Sequence, residues 1–161
     1  MEPFKLDRMT PKEIQELMAS QYLSRIAFKG DDHPYIAPFQ YAFVKGELYF
    51  HFSNYGRKIR YLDEDPNVCV EIEQNTTDMS EYKFITLRGT LAIVKDKSEK
   101  ATAIFGMWNK GRRELSRSFL AAHGLGTDMD WKDFTADNAH VVVKLVNITE
   151  ITGLRSPRTT V

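Results

Sequence analysis

The segment Tyr35–Val44 restricts the fold more than any other part of the chain. Tyr35, Ala37, Phe39, Tyr41 and Phe43 fall on one side of an extended strand, and Ile36, Pro38, Ala42 and Val44 fall on the other, around Gln40, because successive side chains of a strand point to opposite faces. An antiparallel strand ordinarily keeps one wet face. A strand that is apolar on both faces needs a core on one side and a second cover on the other, such as a subunit or a flat ligand. At 161 residues the chain is the size of one ordinary domain, and the second apolar face therefore predicts a dimer.

The next segment carries the chemistry. After the turn Lys45-Gly46, Leu48, Phe50 and Phe52 alternate with Glu47, Tyr49, His51 and Ser53, which predicts a strand with an apolar face and a polar face. At its exit Asn54, Gly56, Arg57 and Lys58 provide a turn, free amide donors where a short helix begins, and two positive charges. That set suits a dianionic phosphate. Lys plus Arg equals Asp plus Glu at 22 each, so no global field attracts anions, nucleic acid or an acidic membrane, and an anion site has to be built locally.

The rest of the chain predicts a small antiparallel barrel with α additions. Thr10-Pro11-Lys12-Glu13 is a helix start with a capping pattern, followed by the stripe Ile14, Leu17 and Met18. Strands are predicted over residues 22–28, 68–72 and 82–94, the last with a bend or bulge at Gly89. A short helix over 57–62 stops before Asp65-Pro66. Ala101, Ile104, Phe105 and Trp108 have helical spacing, and a second helix is expected over 112–122. A last strand over 139–151 closes a single domain of residues 1–153, and residues 154–161 form a polar, mobile tail.

Cys69 is the sole cysteine, which excludes an internal disulfide and is compatible with a reducing cytoplasm; its apolar strand predicts a buried, inert thiol. Residues 1–8 lack the apolar stretch of a secretion signal, and no apolar run approaches bilayer length, so a soluble, cytoplasmic protein is expected. His33 lies in a turn. His123 and His140 are isolated, and no histidine pairs with another or with Cys69 at metal-ligand spacing, so no metal site is assigned. Trp108 and Trp131 are core or interface aromatics, and Gly124-Leu125-Gly126 is a loop rather than a dinucleotide fingerprint.

The segments His33-Pro34-Tyr35-Ile36-Ala37-Pro38, Leu48-Tyr49-Phe50-His51, Gly56-Arg57-Lys58, Asp65-Pro66-Asn67-Val68-Cys69 and Arg88-Gly89, in this order and spacing, resemble the FMN-binding split-barrel proteins related to pyridoxamine 5′-phosphate oxidase. The branch most similar is the nitroimidazole-resistance (Nim-type) flavoproteins. The resemblance implies a six-stranded antiparallel split β-barrel and a homodimer with FMN at the subunit interface. It implies that Ala37, Pro38, Phe39 and Gln40 lie beside the ring system and ribityl chain, largely through backbone groups. By the same resemblance His51 and Ser53 line the path to the phosphate, and Arg57 with Lys58 clamps it. No catalytic residue follows from it, although His51 is a candidate for a direct role.

The chain departs from that family in two places. The Arg-Leu-His-type motif of the pyridoxamine oxidases is missing from residues 147–155, which disfavours that activity, and Tyr82-Lys83-Phe84-Ile85 carries Phe84 where the Nim-type branch has serine. The function expected is an FMN-dependent oxidoreductase that passes electrons from a nicotinamide donor to a small acceptor, possible substrates including nitroaromatics. The alternatives are a flavin-binding protein without turnover, for storage or sensing, and a haem-binding split barrel with His51 or His123 as axial ligand. A deazaflavin could occupy the same barrel.

Overall fold

The chain is described by a computed structural model over residues 5–118 and 140–157. Strands β1 (Asp7–Arg8), β2 (Leu23–Phe28), β3 (Tyr35–Val44), β4 (Glu47–Ser53), β5 (Asn67–Asn75), β6 (Tyr82–Ile93) and β7 (His140–Arg155) alternate with helices α1 (Pro11–Ser20), α2 (Arg57–Glu64) and α3 (Lys97–Glu114). The sheet order is β1-β7-β4-β3-β2-β5-β6, and β6 also pairs with β7. That last pairing closes β2 to β7 into a six-stranded antiparallel barrel, with β1 as an added seventh strand. Closure removes the exposed edges that an open sheet of this size would present.

Period-2 alternation fills the interior as the sequence predicts. Ile26, Phe50, Phe52, Val70, Ile72 and Ile85 are each fully buried. The capping box at Thr10 and Glu13 forms, and α1 turns Leu17 and Met18 into the core. The buried Tyr41 hydroxyl donates to the Met18 carbonyl at 2.8 Å, which joins α1 to β3. The β6–β7 register shifts between Arg88 and Thr90, so the bulge falls at Gly89.

The two-faced strand β3 is covered twice over only part of its length. On the outer side Ala42 and Val44 pack beneath α3, together with Tyr49, Val142, Ala103, Ile104 and Met107. Toward the start of the strand Ile36 stays 61% exposed, and Pro38 is exposed beside it. One cover is thus a helix of the same chain, and the rest of that face is open.

Three sequence expectations are corrected. Cys69 is exposed, not buried: Val68, Val70 and Ile72 take the inward positions of β5, so alternation turns the thiol outward. Helix α3 runs unbroken to Glu114, with Gly111 buried inside it, so the expected second helix does not begin at Arg112; after a break at Leu115 and Ser116, helical residues resume at Arg117 and Ser118, and residues 119–122 lie outside the described residues. The C-terminal tail does not begin at residue 154. Leu154 and Arg155 pair with β6 and β1, and the Arg155 guanidinium lies 3.4 Å from Asp7 and 3.5 Å from Glu13.

Gly153 shows how tightly this end is held. A Cβ there would stand 2.8 Å from Ile14 Cγ1 and 3.1 Å from Met9 Cβ. Gly153→Val is expected to destabilise the protein by about 1–3 kcal/mol through overpacking, measured as a lower midpoint of urea unfolding. An unchanged midpoint would show that Gly153 is not packed against α1.

Candidate functional site

Strands β3 and β4 pair only over Tyr41–Val44 and Glu47–Phe50. Beyond that ladder they take different neighbours: residues 35–40 of β3 pair with β2, and His51 to Ser53 of β4 pair with β7. The predicted ligand-lining residues Ala37, Pro38, Phe39 and Gln40 therefore lie on one arm of this divergence, and His51 and Ser53 on the other. Arg57 and Lys58 follow the second arm across a short turn.

That turn is shaped by Gly56. Its φ of 93° lies where a side chain would be strained, and it stands as N-cap of α2 with no side-chain cap bond. The first N–H groups of a helix have no intrahelical partner and carry a partial positive charge. The helix start is therefore a donor cluster without a side-chain acceptor. Lys58 stands in its first turn, where its Nζ donates to Ser53 Oγ at 2.5 Å and to the Tyr55 carbonyl at 3.1 Å, 5.4 Å from the Tyr55 ring centre. Desolvation lowers the Lys58 pKa. Among the described residues the ammonium meets hydroxyl and carbonyl oxygens, not a carboxylate, so this half-buried charge lacks a compensating anion.

The three basic residues of α2 are not equivalent. Arg60 is committed to the β2–β3 turn through Asp31, with bonds of 3.0 and 2.7 Å, and to Glu64 at 3.2 Å, and its guanidinium lies 4.5 Å from the centre of the Tyr61 ring. The Arg60 hydrogen bond, and more weakly the charge of Arg57, hold the Asp31 carboxyl below its ordinary pKa. Arg57 itself is exposed and forms no salt bridge among the described residues. An incoming anion thus meets Arg57, Lys58 and the helix start, while Arg60 clasps the turn that leads into β3. The sequence signals for that clasp are the i,i+4 spacing of Arg60 and Glu64 and the acidic turn Asp31-Asp32, which periodicity alone does not join.

On the opposite arm the side chains are occupied. The Phe39 ring is packed in the core, 4.7 Å from that of Phe52, and its carbonyl accepts from the buried Ser24 hydroxyl at 3.0 Å. Gln40 Nε2 donates to the Met107 carbonyl of α3 at 3.2 Å. Ala37 is half-buried and Pro38 exposed. A ligand laid along this arm would meet backbone, a methyl and a pyrrolidine ring.

His51 is half-buried on β4, in register with Val142. Tyr49, on the same face, is withdrawn from any ligand path. Its buried hydroxyl lies 2.6 Å from Glu47 and 3.0 Å from Glu99, and Lys144 joins the group through Glu99 at 2.7 Å. His140 is in register with Ser53. His123, Trp131 and residues 124–126 lie outside the described residues, and Trp108 lies on α3 with the Arg112 guanidinium 4.6 Å from its ring centre. Among the described residues no three His, Cys, Asp or Glu side chains are grouped to hold a metal ion, and no helix is long and apolar enough to cross a membrane.

Comparison with known proteins gives a consistent picture. Residues 10–153 match the family described as pyridoxamine 5′-phosphate oxidase. An uncharacterised protein of Rhizobium meliloti is 33% identical over 81 residues, which are 50% of this chain and 52% of the relative; the chain thus spans about half the length of the curated relative it matches. Among solved structures, an FAD-binding protein from Mesorhizobium loti superposes with a TM-score of 0.64 at 19% identity, covering 96% of this chain and 100% of the other. A candidate 5-nitroimidazole antibiotic resistance protein from Bacteroides thetaiotaomicron superposes with a TM-score of 0.68 at 18% identity, covering 96% of this chain and 92% of the other. At these identities the superpositions establish the split-barrel fold.

Proposed function

The chain belongs to the pyridoxamine 5′-phosphate oxidase family, and on that premise we propose that it binds FMN by its phosphate and works as an oxidoreductase, passing electrons from a nicotinamide donor to a small acceptor. The observation that carries the proposal is Lys58, a partly desolvated ammonium held on Ser53 Oγ at the glycine-capped start of α2. A cation left without an anion beside free helix amides fits a phosphate dianion better than it fits any neutral group. The residues present therefore fit the tail of the cofactor. Arg57 adds charge at the solvent side, and the Arg60–Asp31 clasp fixes the β2–β3 turn that leads into the first arm.

A bound flavin would supply the redox chemistry itself. The protein would contribute binding and orientation: backbone of Ala37 to Gln40 along the ring, Ser53 and Lys58 at the phosphate, and His51 on the arm between them. The acceptor is proposed as a small, flat molecule, a nitroaromatic being one candidate. Oxidation of pyridoxamine 5′-phosphate is not proposed, because residues 147–155 lack the substrate-phosphate motif of those enzymes and are built into β7. A cytoplasmic setting is proposed on the single, exposed thiol.

We further propose a homodimer. The open stretch of β3 supports it, with Ile36 61% exposed next to Pro38, and Leu23 on the neighbouring strand 47% exposed. Light scattering of the FMN-loaded protein is expected to give twice the chain mass; a monomer would remove the shared site. Turnover is tested by adding NADH or NADPH without oxygen. The flavin band is expected to bleach and to recover with an acceptor, whereas no reduction by any donor would leave a flavin carrier without turnover.

A further inference from the structure

We infer that the side-chain oxygen of Gln40 selects the ring of the ligand, by accepting a hydrogen bond from an N–H on the ring edge that meets it. The inference rests on the flavin proposal and adds which edge of the ring is held, and by what group. Alternation places Ile36, Pro38, Gln40, Ala42 and Val44 on the outer face of β3. Helix α3 covers the last two so closely that a Cβ on Gly106 would stand 2.7 Å from Val44 Cγ2 and 3.3 Å from Ala42 Cβ. Ile36 and Pro38 are exposed, and Gln40 is half-buried between the two regions. It thus stands at the step where the open stretch of β3 meets the flank of α3, and a flat ring laid on that stretch ends against it.

The chemistry of the amide fixes which atom the ring meets. The Met107 carbonyl lies 3.2 Å from the Gln40 amide and can only accept, so the NH2 end of the side chain faces α3. The oxygen is the other end, and among the described residues nothing donates to it. The bond to α3 therefore engages the donor and leaves the acceptor to a ligand. The two ends of an isoalloxazine are unlike. One carries methyl groups and would leave the oxygen unpaired, whereas the other carries N3–H between two carbonyls and suits a lone acceptor. This places the pyrimidine edge at Gln40 and the dimethylbenzene edge over Pro38 and Ile36, where methyl groups meet exposed apolar side chains. An acceptor covered by a ring that has no donor costs more than a made bond contributes. Gln40 therefore works as a specificity residue: a ring of the same shape without that N–H is rejected.

The test is titration of the full chain with FMN and with 3-methyl-FMN, which keeps the ring and the phosphate and lacks the N–H, followed by calorimetry. The native chain is expected to bind FMN at least about tenfold more tightly than the methylated compound. In Gln40→Leu, and in the longer Gln40→Met, that ratio is expected to fall to about threefold or less, because the amide acceptor is gone and no polar group is left unpaired. The ratio is read within each variant, so any loosening of α3 through the lost Met107 bond acts on both compounds alike. Equal affinities in the native chain, or a preference undiminished in the two variants, would overturn the inference and leave the flavin proposal standing. A native chain that binds neither compound would overturn both.

Discussion

Replacing Arg57 and Lys58 together by alanine is expected to weaken FMN binding at least about a hundredfold while changing riboflavin affinity little. Each charge-assisted contact is worth about 1.5–3 kcal/mol, so two lost together give roughly 3 kcal/mol or more, and every 1.4 kcal/mol is a factor of about ten in affinity. Riboflavin is the decisive control because it carries the same ring and lacks the phosphate. The fold should survive: Arg57 is exposed, and Lys58 is a cation that burial already disfavours.

The same grip predicts a pH dependence. The Lys58 pKa is lowered, so the ammonium, and the attraction it offers a phosphate, is present at neutral pH and is lost as pH rises through that lowered value. At the acidic end the phosphate gives up its second charge near its own pKa of about 6. FMN affinity should therefore peak between these limits, its alkaline limb falling earlier than an ordinary lysine would allow, while riboflavin affinity shows neither limb. Equal losses of FMN and riboflavin affinity in the double variant would contradict the grip.

The second large effect is expected at Phe52. Its side chain is fully buried, with ring centres 4.7 Å from Phe39 and 6.2 Å from Phe28. It thus links the two arms of the site from within the barrel. Phe52→Ala removes that contact and leaves a cavity, at a cost of about 3–5 kcal/mol. For a domain of this size each kcal/mol lowers the melting temperature by roughly 2–4 °C. Phe52→Leu fills most of the space and should lose much less. If the alanine variant lost under about 1 kcal/mol in urea unfolding, the inward position of Phe52 would be wrong.

How much of this was legible beforehand depended on the distance over which a signal acts. The inward rows of β3, β4 and β5, the capping box at Thr10 and the bulge at Gly89 follow from spacing within one segment, so periodicity and turn chemistry expose them. Cys69 faces out despite its apolar neighbours, because Val68 and Val70 hold the inward positions and alternation turns the thiol between them to the other face. The two apolar faces of β3 call for a second cover without naming it: the sequence suggests a subunit or a flat ligand, and nothing local in Ala42 or Val44 says that α3, some sixty residues on, lies across part of that face. The Arg60–Asp31 clasp and the Gln40–Met107 bond were missed for the same reason. The glycine turn and the basic pair at the exit of β4 are legible because they are adjacent in sequence. Which base of α2 is left for an anion is not, because that depends on Asp31 drawing Arg60 away.

The proposed function rests on the binding of FMN through its phosphate. It is tested most directly by the absorption spectrum of the purified protein, reconstituted if colourless, together with mass analysis of the cofactor released on denaturation. A flavin spectrum and the mass of FMN, one per chain, are expected. A Soret band, a released mass of FAD, riboflavin or a deazaflavin, or a protein that takes up no FMN on reconstitution would contradict it.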